Sequence, residues 1–373
     1  MKFPFKRWIH ILSSILAYRK ICEKPIPVFI IYSPSCLRVM EPIALELQAR
    51  TIPSKVYIAD WLIRSESPIA KELRFTTSRI KLTTWIIKSH KRSPIIFALN
   101  SPISGHQWGN TATTWANSLG KRTMCIQHGG IKHSSMKQLS LSPSPEIIAW
   151  SEASATILTE KYGRTTPPPH IVSPPCLPKP PPLQQIDHNH ILLATCLHTE
   201  YGADKASYDQ FLHDIFDSLE QSSFTLSICM HPRDKTSPNQ YKDVLKHYPI
   251  LNKRTEIFSS NDNRFYTVLA KSGTLLTRAS TAAEEAAALG RKVILYDIES
   301  KSVRFEYDFL EAEPNCYLVQ GRTELQKALV SNHHESNTEK LATRLGYASN
   351  GKNPRNEYAR FFSEISMSKE VDS

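Results

Sequence analysis

Ser280 and Thr281 stand where an apolar run, residues 274–277, gives way to a stretch of strong helix formers, residues 282–289. The whole segment 271–297, KSGTLLTRASTAAEEAAALGRKVILYD, reads as strand, polar turn, short helix, a stop at Gly290 and a second strand at 292–296. A helix start gathers unpaired N–H groups and partial positive charge, so the two hydroxyls sit where a phosphate docks. Glu284 and Glu285 follow within one turn, placed to accept hydrogen bonds from ribose hydroxyls. The competing reading makes Ser280 a plain helix cap and leaves both glutamates in solvent. His231-Pro232 closes another apolar run at 224–230. His231 offers a hydrogen bond, or a proton when a phosphate beside it raises its pKa; it also reads as a histidine that merely precedes a proline turn. His128 lies in the loop Gln127-His128-Gly129-Gly130, whose glycines let the backbone approach a substrate closely. It is a candidate base, with a capping or packing role as the alternative.

Such residues need a scaffold that gathers strand ends. Apolar strands are expected at 28–32, 55–59, 94–99, 122–126, 146–150 and 171–172, with helices at 41–50, 67–90 and 111–119 and one from Ser151 to Gly163. Residues 33–40 read as a polar loop that opens into the helix beginning at Glu41. Residues 165–183 hold nine of the 25 prolines, a density that favours stiff extended chain and marks a linker. The alternation restarts at 191–196, followed by a helix with the stripe Tyr208, Phe211, Leu212, Ile215, Phe216 and Leu219. Further strands are expected at 224–230, 256–258 and 315–319. Capping boxes at Thr323/Gln326 and Ser336/Glu339 and the pair Asn353-Pro354 mark three more helix starts. Continuously apolar strands separated by helices build parallel sheets, whose functional loops lie at the carboxyl ends of the strands. Those loops collect His106, His128, His133, His198 and His231.

Composition narrows the classes. A chain of 373 residues, 40% hydrophobic and 22% charged, is large enough for two domains with cores of their own. The net charge of +11 and pI near 9.2 point to anionic partners: nucleotide, nucleic acid or lipid head groups. Seven scattered cysteines form no CxxC pair, which fits reduced thiols in the cytoplasm rather than a disulfide frame or zinc site. Asp60, Asp262 and Asp297 stand alone, without the acidic pair a magnesium ion wants, so no metal is expected. No stretch approaches a membrane span. Residues 1–24, however, place six lysines and arginines around apolar residues at helical spacing, a pattern that suits either the anionic inner face of the plasma membrane or an ordinary surface helix.

In this order, the motifs resemble a GT-B glycosyltransferase, in particular bacterial capsular and surface-polysaccharide transferases: sialyltransferases and the relatives that use CMP-activated keto-deoxy-octulosonate or CDP-glycerol. His231-Pro232 is similar to the His-Pro pair that contacts nucleotide and leaving phosphate in sialyltransferases. Glu256, 25 residues on, stands where that family has a ribose- or base-contacting acid. Ser280-Thr281 resembles the paired hydroxyls that bind the phosphate. Glu284 and Glu285 with Gly290 resemble the acid-to-glycine helix of GT-B enzymes, and Gln127-His128-Gly129 resembles a loop of capsule and CDP-glycerol transferases. Glu41 takes the position where related enzymes carry a catalytic carboxylate.

The resemblance implies an α/β chain of two Rossmann-like domains facing a central cleft. A basic segment (1–24) precedes an acceptor-side domain (25–164), a linker (165–190), a nucleotide-sugar domain (191–349) and a C-terminal helix (350–373). It implies a metal-independent, cytoplasmic or peripheral-membrane transferase in capsule or lipopolysaccharide biosynthesis. This enzyme would move a sugar from a CMP- or CDP-linked donor to a glycan or glycolipid acceptor. Its catalytic candidates are Glu41, His128 and His231; its donor-binding candidates are His231, Pro232, Glu256, Ser280, Thr281, Glu284 and Glu285. No cofactor is expected beyond the nucleotide-sugar co-substrate. A non-hydrolysing UDP-sugar 2-epimerase shares the fold and is the nearest rival, although the denser set of acids and histidines usual around its sugar is not found. A non-catalytic nucleotide- or nucleic-acid-binding protein is a further alternative, but the basic balance comes without the aromatic-interleaved stripe that nucleic acid demands.

Overall fold

The structure is a computed structural model that describes residues 25–58, 86, 89–103, 105–175, 186–196, 205–231, 238–259, 264–298, 303, 306–333, 338–347 and 353–367. The basic segment 1–24, Pro232, His198 and almost all of the helix expected at 67–90 lie outside the described residues. The chain divides into two units. One comprises Met1–Ile131, Ser135–Cys176 and Ser349–Ser373; the other comprises Lys132–Ser134 and Leu177–Ala348.

In the first unit, elements alternate as β1 (Val28–Ile31), α1 (Pro34–Ala49), β2 (Lys55–Ile58), β3 (Ile95–Phe97), α2 (Gln107–Ser118), β4 (Thr123–Ile126), α3 (His133–Ser140), β5 (Glu146–Ala149), α4 (Glu152–Thr156) and β6 (His170–Ile171). The six strands pair in parallel in the order β2-β1-β3-β4-β5-β6. Strands β1, β3 and β4 are buried throughout, as sheets covered on both faces require. The last helix, Pro354–Met367, is the one read from Asn353-Pro354: Asn353 Oδ1 accepts from Arg355 N at 3.0 Å, with proline in the first turn. It packs Tyr358 and Phe362 into the core of this unit, with Phe362 edge-on to Phe29 at 5.3 Å.

One helix start needs correction. Residues 33–40 read as a polar loop before a helix beginning at Glu41, but α1 begins seven residues earlier. Ser33, in extended conformation, accepts from Cys36 N at 3.1 Å, and Pro34 takes the first turn. The helix then runs through Pro42, which leaves Glu41 roughly 10 Å along the axis from the helix start. The buried stripe Val39, Met40, Ile43 and Leu47 required the longer helix.

The second unit repeats the plan with β7 (Asp187–Ala194), α5 (Lys205–Glu220), β8 (Thr225–Met230), α6 (Pro238–Leu245), β9 (Thr255–Ser259), α7 (Phe265–Lys271), β10 (Ser272–Thr277), α8 (Ala282–Ala288), β11 (Lys292–Tyr296), β12 (Cys316–Val319), α9 (Gly321–Val330) and α10 (Thr338–Leu345). Its sheet is also parallel, in the order β12-β11-β10-β7-β8-β9. The stripe read on α5 is buried against Ile191, Leu193, Leu226 and Ile228. Gly290 ends α8 at φ +72°, the left-handed conformation expected of it. Lys292, buried in β11, ends α9: its ammonium donates to the carbonyls of Ala328, Leu329 and Ser331 at 3.2, 3.0 and 2.6 Å.

The box read at Thr323/Gln326 is displaced too. Helix α9 starts at Gly321, and Glu324 reaches back to the backbone N of its cap residue Gln320 at 2.7 Å. An acid reaches back to the cap, from four residues on rather than three, and the start is three residues earlier because only Gln320 separates β12 from Gly321.

Candidate functional site

In parallel sheets, side chains just past the strand ends are held by the backbone of neighbouring strands, and the second unit shows this at three adjacent strands. Beyond β8, His231 N donates to Thr195 Oγ1, beyond β7, at 2.9 Å. At the end of β10, Thr277 Oγ1 donates to the Ala194 carbonyl at 2.8 Å. Thr277, Ala194 and Cys229 share one register level. His231 and the 278–281 turn therefore flank β7, two strand spacings or roughly 10 Å apart. That span suits the phosphates of a nucleotide.

The turn itself is firmly built. Arg278 and Ala279 are buried, and the Ser280 carbonyl accepts from Tyr307 Oη at 2.9 Å and from Ala283 N at 3.0 Å. Ser280 Oγ accepts from Ala282 N at 3.2 Å, so part of its role is the capping one. Thr281 precedes the helix without a side-chain cap bond, and its carbonyl accepts from Glu284 N and Glu285 N.

The glutamates are not solvated: both are fully buried. Glu284 Oε1 accepts from Lys132 N at 3.3 Å, and Glu285 Oε1 accepts from the Tyr266 hydroxyl on α7 at 3.2 Å. Buried carboxylates persist only with donors, and both donors come from outside their own helix. Tyr266 was not singled out in the sequence. Only the fold could reveal it, since α7 is a single apolar heptapeptide with no pattern of its own.

Glu256 is placed differently. It lies within the edge strand β9, exposed and paired in register with Ser227, four residues before His231. That sets it about 13 Å down the sheet from the strand ends. Its Oε1 accepts from Ser227 Oγ at 2.8 Å, and its Oε2 lies 3.6 Å from Arg264. The structure thus gathers Ser280, Thr281, Glu284 and Glu285 around one turn, with His231 one strand beyond β7, and keeps Glu256 apart.

In the first unit, Gln127 braces its own loop. Its amide donates to the Gly129 carbonyl at 2.7 Å, while Oε1 accepts from Trp150 N at 2.8 Å. His128, half-buried, meets His106 edge-on with ring centres 5.8 Å apart. His106 Nδ1 in turn lies 2.9 Å from Ser101 Oγ. Two imidazoles and a hydroxyl thus lie close together at this loop. Glu41 sits half-buried on α1 and takes no part in this group's described contacts. Gly109, on α2, lies against Tyr32: an added Cβ would stand 2.0 Å from Tyr32 Oη and 2.4 Å from the Leu99 carbonyl.

Among the described residues, no group of three or more His, Cys, Asp or Glu could hold a metal ion, and no helix is long and apolar enough to cross a membrane.

No family model and no curated protein matches the chain. Solved structures do. A Listeria monocytogenes protein described by the name UDP-N-acetylglucosamine 2-epimerase aligns at TM-score 0.61 and 12% identity, over 94% of this chain and 98% of its own. UDP-GlcNAc 2-epimerase from Neisseria meningitidis, bound to UDP-GlcNAc, aligns at 0.55 and 15%, over 92% and 99%. A glycosyltransferase from Rickettsia africae aligns at 0.52 and 14%, over 93% and 100%. At these identities the likeness is one of fold. The chain has the GT-B fold, two Rossmann-like α/β units.

Proposed function

We propose that the chain is a nucleotide-sugar enzyme, a glycosyltransferase that moves a sugar from an activated donor, read from its motifs as CMP- or CDP-linked, to a surface glycan or glycolipid. One observation carries the reading: His231 and the Ser280-Thr281 turn flank β7 at the strand ends, roughly 10 Å apart, with two buried carboxylates immediately behind the turn. Ser280 and Thr281 hold the phosphate, and His231 donates to it as charge develops on the leaving group. Glu284 or Glu285 accepts from the ribose hydroxyls. His128, with His106 beside it, is a better base than Glu41, which lies in the body of α1.

The second reading is a UDP-sugar 2-epimerase, favoured by the names and the bound UDP-GlcNAc of the structural neighbours. One experiment separates the two. The protein is incubated with UDP-GlcNAc and with CMP- and CDP-linked sugars, with and without a lipid-linked glycan acceptor, while nucleotide release and the configuration at C2 are followed by NMR. Acceptor-dependent release with C2 unchanged is expected. C2 inversion without an acceptor selects the epimerase, and no reaction or binding with any donor by the folded protein defeats both.

A further inference from the structure

The second sheet carries a side-chain chain across four strands that the donor-site residues do not use. It runs from Glu256 Oε1 in β9 to Ser227 Oγ in β8 at 2.8 Å, and from that hydroxyl to His190 Nε2 in β7 at 2.8 Å. His190 Nδ1 lies 3.1 Å from Ser272 Oγ, the first residue of β10, whose hydroxyl donates to the Val268 carbonyl at 2.7 Å. Val268 belongs to α7, and at the other end of the chain Glu256 pairs with Arg264, the residue that precedes α7. Both ends therefore close on one helix. At seven residues, α7 is too short to hold itself in place by helix formation, so its anchors decide where it lies. From α7, Tyr266 reaches across to Glu285. A carboxylate accepts at two oxygens with about four lone-pair sites, so the tyrosine fixes its rotamer and leaves it the capacity to accept from a diol.

We propose that Tyr266 and His190 are positioning residues for a ribonucleotide: Tyr266 orients Glu285 toward the ribose diol, and His190 holds the helix that carries Tyr266. The proposal rests on the nucleotide-sugar reading of this unit and deepens it. It selects Glu285 over Glu284 and makes ribose, rather than deoxyribose, the sugar recognised.

The test titrates the full chain with CMP, CDP, UDP and GDP and with the 2′-deoxy form of whichever binds, in wild type, Tyr266→Phe, His190→Ala and His190→Gln. Wild type is expected to favour ribose by about tenfold, the worth of one hydrogen bond to a charged group. Tyr266→Phe should bring that preference close to one, together with a fall of a few degrees in melting temperature as buried Glu285 loses a donor. His190→Ala should weaken it, and His190→Gln, which can still donate to the Ser272 hydroxyl, should restore most of it. A preference intact in Tyr266→Phe, or a melting temperature that falls while the preference stays, overturns the proposal and makes the contact purely structural. If wild type binds none of the four nucleotides, the nucleotide-sugar reading fails and the ribose role fails with it. Hydrogen exchange at residues 265–271 then judges the anchoring alone: faster exchange in His190→Ala but not in His190→Gln upholds it, and equal rates in all three overturn it.

Discussion

The two sheets are alike in strand number and direction but solve the placing of buried polar groups differently. In the first unit, Arg122 forks onto Glu146 at 2.6 and 2.7 Å, and His170 meets the same carboxylate at 3.3 Å, tying the foot of β4 to β5 and β6 with charge. In the second, Glu256, Ser227, His190 and Ser272 link four strands mainly through hydroxyls and one imidazole. A bidentate ion pair fixes geometry strongly and loses much when one partner goes. A hydroxyl chain is softer, and each link is worth about one ordinary hydrogen bond. The first arrangement makes a rigid foundation. The second anchors α7 through hydrogen bonds that are individually weaker.

The largest expected effect comes from breaking the ion pair. Arg122→Met should destabilise the first unit by about 3 kcal/mol, because the half-buried carboxylate of Glu146 loses its fork. Urea melts followed by tryptophan fluorescence measure it directly, since Trp108, Trp115 and Trp150 lie in the first unit and no tryptophan occurs in the sequence of the second.

Acid should separate the units. Burial pushes Glu146 up, but the Arg122 fork and His170 outweigh it and hold its pKa at about 2. Its folded value lies below its unfolded one, so its contribution is complete above about pH 4.5 and fades only as pH falls toward 2. Burial holds the His190 ring below the ordinary histidine value, against the opposing pull of Asp187 and Glu256. Its folded value is also the lower one, so its contribution is complete above about pH 6.5 and fades as pH falls from there. The second unit should therefore loosen first. On acid titration, circular dichroism should change before tryptophan fluorescence does; coincident transitions would erase the contrast.

The smallest effect tests the softness of the hydroxyl chain. Ser227→Ala should cost about 1 kcal/mol, roughly a third of the Arg122 change. A loss as large as that of Arg122→Met would mean the two networks are equally rigid.

Much of the architecture was legible because burial on both faces writes itself into the chain. Runs such as Val28–Ile31 and residues 293–296 are apolar from end to end, and Gly290 marks its helix stop. Helix starts were less legible: residues 33–40 read as loop, yet Ser33 caps α1 and Pro34 opens it, because packing of the buried stripe required the longer helix. Helices α3, α6 and α7 were missed because short segments such as Phe265–Lys271 hold too few turns to show a period.

The amino-acid sequence by itself determined two parallel α/β units and the polar turn at Ser280-Thr281, since both follow from local composition and a strand-to-helix junction. Which side chains stand around that turn was decided only in three dimensions. Glu284 and Glu285 went inside instead of into solvent, and Glu256 went to an edge strand. Tyr266, silent in the sequence, came to rest on Glu285. Strand pairing and helix docking bring together residues far apart in the chain, and no local propensity encodes which distant donor a buried carboxylate will find.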